Sequence, residues 1–362
     1  MRGVVNIMKK LLLFLVLIFA IPMQVYAAAP RDIPYAHALN RAISWDSNVA
    51  PLDREIRQAD ARVRNLLEEY LSLVNTDRTA ADAIYGQRMM EIAERDRLRR
   101  SKTRLELSIE RALRTLLADI VESEINIELL EANLDFQQRL FEQVELRHSL
   151  GMASDMELRE ARHTLEQTGL SLEMANLALQ NQRQELNRLI RQPITADIRV
   201  IYNIPDLTPP EQLSDREMQR LIARSHNLLY WREEVEIRRH EWQRQLDDPE
   251  VDNSYMRLQH RLAVLERDMA ERQAELNIRN SLAEWERLSE QEAVIMADIA
   301  QAQADYEDMK SRLEAGLATQ LQVDATVLAI AAAEARLVRH SYNFWIAHLE
   351  IEFPYISLIG WR

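Results

Sequence analysis

Gly151-Met152-Ala153-Ser154-Asp155-Met156-Glu157-Leu158 opens the stretch that decides the fold. A glycine turn is followed by Ser-x-x-Glu. In that pattern the serine oxygen accepts the backbone N–H of Glu157, and the glutamate returns to the N–H of Ser154. Leucine then recurs every seventh residue, at Leu158, Leu165, Leu172, Leu179 and Leu186. The same sentence is written again from Gly316. Thr319 and Gln322 form Thr-x-x-Gln, and Val323, Ile330, Leu337, Phe344 and Ile351 repeat the stripe, each 165 residues from its counterpart. Shared register across turn, cap and heptads implies two copies of one helical hairpin.

Working outward, the flanking chain reads as long helix. No proline lies between Leu52 and Gln192 or between Glu250 and Phe353. From about Ala81 to Leu150 the pattern predicts one helix, roughly 100 Å long at ~1.5 Å per residue. Such lengths far exceed the ~11–12 residues usual in globular proteins. Gly86 reads as a weak point within it, and Pro51 as a bend in the helix before it. In the second copy Ser214 and Glu217 again form Ser-x-x-Glu. A single helix is expected to run from there to about Gln245. Asp247-Asp248-Pro249 then breaks it, Asp252-Asn253-Ser254 caps the next long helix to about Ala315, and the last helix ends near Phe353.

The expected organisation is a signal peptide over 1–28, a first helical hairpin repeat over 29–193, an extended connector over 194–211, a second repeat over 212–353 and an apolar tail over 354–362. Arg2, Lys9 and Lys10, the apolar run Leu11 to Ile21, and the small residues at Val25-Tyr26-Ala27 mark the export signal. Removing those three basic residues takes the formal charge from −13 to −16, which disfavours nucleic acid and anionic lipid as partners. With no cysteine anywhere, disulfides and a lipoprotein anchor are excluded. The stretch Pro193 to Pro210 holds four of the ten prolines and the β-leaning run Ile198 to Ile204, read as a strand in a small belt around the helices. The fold class is therefore all-α: an elongated antiparallel coiled-coil bundle with an internal two-fold repeat. Small residues at Ala161, Thr168, Ala175, Thr326, Ala333 and Ala347 suit close knobs-into-holes packing, and a lone chain would leave apolar stripes bare. Oligomerisation is expected.

The chain resembles the TolC-type outer-membrane efflux ducts. The likeness rests on the repeat starts, Ile33-Pro34-Tyr35-Ala36-His37-Ala38-Leu39-Asn40-Arg41-Ala42-Ile43 and Leu213-Ser214-Asp215-Arg216-Glu217-Met218-Gln219-Arg220-Leu221-Ile222-Ala223. It rests equally on the two glycine turns with their return helices, the first ending in Leu186-Asn187-Arg188-Leu189-Ile190. The resemblance implies a homotrimeric helical tunnel in the extracytoplasmic envelope, outer membrane or periplasm. It would work with a periplasmic adaptor (membrane fusion) protein and an inner-membrane transporter. Gly151, Ser154, Glu157, Gly316, Thr319 and Gln322 would lie at the tip where the adaptor docks. Family members carry aspartates six and nine residues after the second glycine, as a constricting ring. Here those positions are Gln322 and Ala325, with Asp324 between them, so Gln322 and Asp324 are the candidate lumen gate. The family also inserts a membrane-spanning β-hairpin between the first two helices of each repeat. The breaks Asn75 to Ala80 and Leu246 to Ser254 leave no room for ~9–11-residue strands.

Other motifs yield less. Glu145-x-x-His148 and Glu160-x-x-His163 have the di-iron spacing, but the second repeat lacks a counterpart and the faces are charged. No metal or cofactor is expected. His240-Glu241 lacks the second histidine of a zinc protease, since position 244 is Arg244, and no nucleophile motif or phosphate loop occurs. The protein reads as a non-enzyme. The basic stretch Arg95 to Arg104 reads as a solvated helix face. A structural coiled-coil scaffold without a conduit is the rival reading. An adaptor fits less well, because adaptors add β-rich domains to one hairpin.

Overall fold

The computed structural model describes residues 31–204, 213–246 and 253–354. The expected signal peptide, most of the apolar tail and part of the connector lie outside these. In order come β1 (Arg31–Pro34), α1 (Tyr35–Trp45), α2 (Val49–Leu73), α3 (Arg78–Ser149), α4 (Asp155–Leu189), β2 (Ile198–Ile201), α5 (Asp215–Ala223), α6 (His226–Leu246), α7 (Ser254–Glu314) and α8 (Gln320–Glu352).

Two helices set the length. α3 has 72 residues and α7 has 61, about 108 and 92 Å at ~1.5 Å per residue. The shorter helices pair end to end along them. α2 and α4 share one flank of α3, α6 and α8 share the other, and α7 lies beyond α6 and α8. The result is a wall of helices four across. Arg139 of α3 meets Asp324 of α8, so the Gly151 and Gly316 turns lie at the same end. Tyr85 of α3 packs at a tilt on His240 of α6, and Trp242 of α6 stacks on His260 of α7, so the turn between α2 and α3 lies at the opposite end, with the facing ends of α6 and α7 beside it.

Three sequence expectations change. Pro51 does not bend a helix; it sits in the first turn of α2, where its missing N–H costs no hydrogen bond. The helix from Ser214 is not continuous to Gln245. It breaks between Ala223 and His226, and the turn lets both Ile222 and Leu228 point at Ala270, Ala274 and Ile278 of α7. Gly86 is not a weak point but a contact. A Cβ there would come within 3.0 Å of the His240 ring, so the glycine admits α6 against α3. The N-cap of α7 is Asn253, without a side-chain hydrogen bond.

β1 and β2 pair in parallel, Arg31 with Ile198 and Pro34 with Ile201. The α3–α4 hairpin returns the chain to the level where it began, which brings two strands of the same direction side by side. Ile33 and Val200 turn inward onto Leu113, Leu117, Leu186 and Ile190. Arg41 donates to the carbonyls of Ile190 and Arg191 at the end of α4.

Beside this belt lies an aromatic cluster built on Trp345. Trp345 of α8 is stacked on Tyr202, with centroids 5.0 Å apart and planes within 5°. The Arg114 guanidinium lies 5.0 Å from its ring and donates to its backbone carbonyl. Arg114 is also held by Glu110 at 2.5 Å, and Tyr35 donates to the same carboxylate. Tyr202 and Tyr342 share a hydrogen bond of 2.7 Å. Burial first, then this bond, raises the Tyr202 hydroxyl far above its usual range. One buried arginine thus ties the start of the first repeat to the end of the second.

Candidate functional site: the glycine-turn end

Both turns close in the same way. Gly151 and Gly316 each have φ +73°, a region that L side chains avoid. Met152 N–H donates to the Arg147 carbonyl and Leu317 N–H to that of Arg312, at 2.8 and 2.7 Å. These are the six-to-one bonds of a Schellman cap. The return helices start on capping boxes. Glu157 N–H donates to Ser154 Oγ and Ser154 N–H to the Glu157 carboxylate. Gln322 N–H donates to Thr319 Oγ1 and Thr319 N–H to Gln322 Oε1. The Ser154 backbone N–H, then its hydroxyl, holds the Glu157 carboxyl below its usual range.

The heptads face inward as spaced. Leu158, Leu165, Leu172 and Leu179 are half-buried against α3, while Thr168 and Leu186 are buried. On α8, Val323, Ala333 and Phe344 are buried.

The two tips differ in charge. At the first, His148 Nε2 lies 2.7 Å from Asp155 across the turn. His148 thus meets a carboxylate of its own turn, and among the described residues no metal-binding group of three or more His, Cys, Asp or Glu occurs. At the second, the corresponding residues are Leu313 and Gln320. Of the candidate gate, Gln322 is occupied by its capping box. Asp324 accepts from Arg139 at 2.5 Å and from Gln320 at 2.9 Å, and Arg139 also holds Asp135. Arg139 is the partner of Asp324 that sequence reading missed. It stands 185 residues from Asp324, and no local pattern links them.

One bare face of α3 has a second feature. Leu113 and Leu117 meet the belt. About half a turn away on the helix, Thr115, Asp119, Glu122 and Asn126 line a groove of about 130 Å³ against Arg339, Tyr342 and Asn343 of α8. Glu122 pairs with Arg339 at 2.5 Å. Burial, then the Glu122 charge, raises the Asp119 carboxyl. Val121, Ile125 and Leu129 of α3 and Val338 and Ile346 of α8 line the same groove, so this face is mixed, with its polar groups gathered at Asp119, Glu122 and Asn126.

The basic stretch Arg95 to Arg104 is not a solvated face. Arg95 and Arg99 reach Asp60 of α2, Lys102 reaches Asp53, and Arg100 forms a two-bond pair with Glu233 of α6 at 2.7 and 2.6 Å. Its charges face neighbouring helices on both flanks.

Solved structures share this arrangement. A membrane protein from Pseudomonas aeruginosa matches with a TM-score of 0.65 at 14% identity, over 90% of this chain and 92% of its own. The outer membrane protein VceC of Vibrio cholerae matches at 0.60 and 13%, over 88% and 95%. The CmeC outer membrane channel of Campylobacter jejuni matches at 0.63 and 12%, over 88% and 85%. The chain has the fold of the TolC-type outer-membrane channels. No family model and no curated protein matches the sequence. Among the described residues of this TolC-like chain, β1 and β2 are the only strands and no helix is long and apolar enough to cross a membrane.

Proposed function

We propose that the protein is a wall segment of an efflux or export duct, closed by copies of itself into a homotrimeric tunnel that conducts small molecules or proteins across the cell envelope. The observation that carries this reading is the state of the wall's two lateral edges. On α4, Leu170, Met174 and Leu177 are 55–70% exposed on the side away from α3. On α7, in the half away from the glycine turns, Leu262, Leu265, Met269 and Leu276 are 46–58% exposed on the side away from α6. Both runs follow three- and four-residue steps, the spacing of a coiled-coil seam. A head-to-tail edge contact that closes forms a ring. The polar groups at Asp119, Glu122 and Asn126, on the side of α3 away from the belt, suit contact with water in an interior that a solid rod does not need.

In this reading the glycine turns form the end that meets a periplasmic adaptor protein, through Gly151, Ser154, Glu157, Gly316, Thr319 and Gln322, and through it an inner-membrane transporter. Gln322 and Asp324 belong to the gate. Asp324 acts there as a tie between the hairpins through Arg139, so widening the tip requires that pair to part.

Native mass spectrometry and cross-linking of the exported chain test the proposal. Three copies around a cavity are expected, and Leu170→Glu with Leu177→Glu is expected to yield monomers of unchanged helicity. A monomeric wild type, or a two-chain rod of the scaffold kind, overturns it.

A further inference from the structure

We propose that His340 makes the α7–α8 hairpin a pH-sensitive joint: its neutral ring closes the seam, and acid parts the two helices while the α3–α4 hairpin stays shut. On α8 the second row of seam positions runs Thr326, Ala333, His340 and Ala347, seven residues apart. The counterpart of His340, 165 residues earlier on α4, is Ala175. An ionisable group therefore stands in the seam of one return helix and not of the other. A polar residue at such a position fixes register at a cost in stability, and a histidine makes that cost depend on pH.

The surroundings suit only the neutral ring. His340 is 6% exposed. It lies against Phe344, with ring centroids 6.4 Å apart, and Phe344 packs on Trp285 at 4.2 Å. Trp285, Leu288 and Phe344 form one buried apolar cluster. The Leu288 backbone carbonyl faces the imidazole, while His340 Nε2 is buried without a hydrogen-bond partner. A neutral imidazole satisfies both, with its single N–H for the carbonyl and its lone pair at Nε2. A second proton would place a charged donor at Nε2 with no acceptor, and the Trp285 indole N–H is already buried without one. Burial lowers the proton affinity of the ring; Glu292 and the Leu288 carbonyl raise it, Arg287 lowers it, and the balance lies below the ordinary 6.5. The remaining charges nearby are engaged. Arg287 pairs with Glu284, Arg336 on the same helix with Asp298 of α7, and Glu122 of α3 with Arg339. Glu292, exposed on α7, has no ion pair among the described residues and is the partner for an imidazolium that leaves the seam. The closed seam keeps His340 neutral, whereas the open one takes up a proton below pH 6.5. Closure is therefore fully favoured above pH 6.5 and lost as the pH falls below it. The inference concerns one hairpin within one chain, and it holds whether or not copies close into a ring.

The test is amide exchange of the exported, purified chain at about pH 7.5 and about pH 5, corrected for the intrinsic rate. Residues 284–292 of α7 and 337–345 of α8 are expected to open at least ~tenfold more often at the lower pH, and 172–180 of α4 no more often. His340→Leu, which fills the site without a titrating group, is expected to abolish the quickening in the seam and leave that of α6 in place. Glu292→Gln is expected to move its onset to lower pH. The imidazole resonance of His340 in the wild-type chain, assigned by its loss in His340→Gln, is expected to titrate below pH 6.5. Absence of quickening in the wild type, quickening that survives His340→Leu, equal quickening in α4, or titration of His340 at or above pH 6.5 overturns the proposal.

Discussion

Near the glycine turns, α3 meets α4 through leucines spaced by sevens, with small residues such as Ala161 and Thr168 between them. At the far end the same helix meets α2 and α6 through alanines and ion pairs. Ala59, Ala81 and Ala93 are buried there, and Asp53, Asp60 and Glu233 take the charges of Lys102, Arg99 and Arg100. One helix thus uses two chemistries along its length. Apolar seams tolerate small sliding and respond little to salt or pH. Ion pairs fix azimuth and register but respond to both. Under the proposed function the tip changes width while the far end stays aligned, and the division suits both. The Trp345 cluster stands where the two regimes meet.

The largest expected effect comes from that junction. Trp345→Ala should cost about 3–5 kcal/mol, read as a lower midpoint in urea. It should also raise amide exchange in β2, α8 and the middle of α3 together. Loss confined to α8 would show that the junction does not couple the regions.

The second test uses pH. Burial, with Arg104 and Arg100 nearby, holds the α6 residue His226 down to about 4 from its ordinary 6.5. The folded chain keeps it neutral, whereas the unfolded chain takes up a proton below pH 6.5. Stability present above pH 6.5 is therefore lost as the pH falls toward 4. Amide exchange between pH 7 and 4.5 should quicken in α6 before α4, and His226→Gln should flatten the difference. Earlier loss in α4 would reverse the assignment of the two regimes.

The smallest effect is local. Gly151→Ala and Gly316→Ala should each cost about 1 kcal/mol, because φ +73° strains any side chain although no atom lies within 4 Å of the new methyl. Equal costs at the two turns, measured by chemical unfolding, would show that the repeats remain equivalent at their tips despite the His148–Asp155 contact at only one of them.

Much of this architecture was legible in the chain. Glycine turns, capping boxes and heptads act over three to seven residues, and each appears in the structure where its spacing puts it. The turn at Arg224-Ser225 was not legible, because it answers to Ala270, Ala274 and Ile278 on another helix. Nor were the partners of Arg95 to Arg104, since alternating charge along a helix reads the same whether it faces water or two neighbours.

The sequence by itself determined the long helices, the duplication and the inward stripe of each return helix, because these follow from backbone hydrogen bonding and a 3.5-residue apolar period. Only the tertiary structure decided that the hairpins lie side by side with both turns at one end, that β1 meets β2, and that Arg114 and Arg139 bridge the repeats. Those contacts join residues 167 to 231 positions apart, and their selection depends on which faces are brought together, a choice no local pattern encodes.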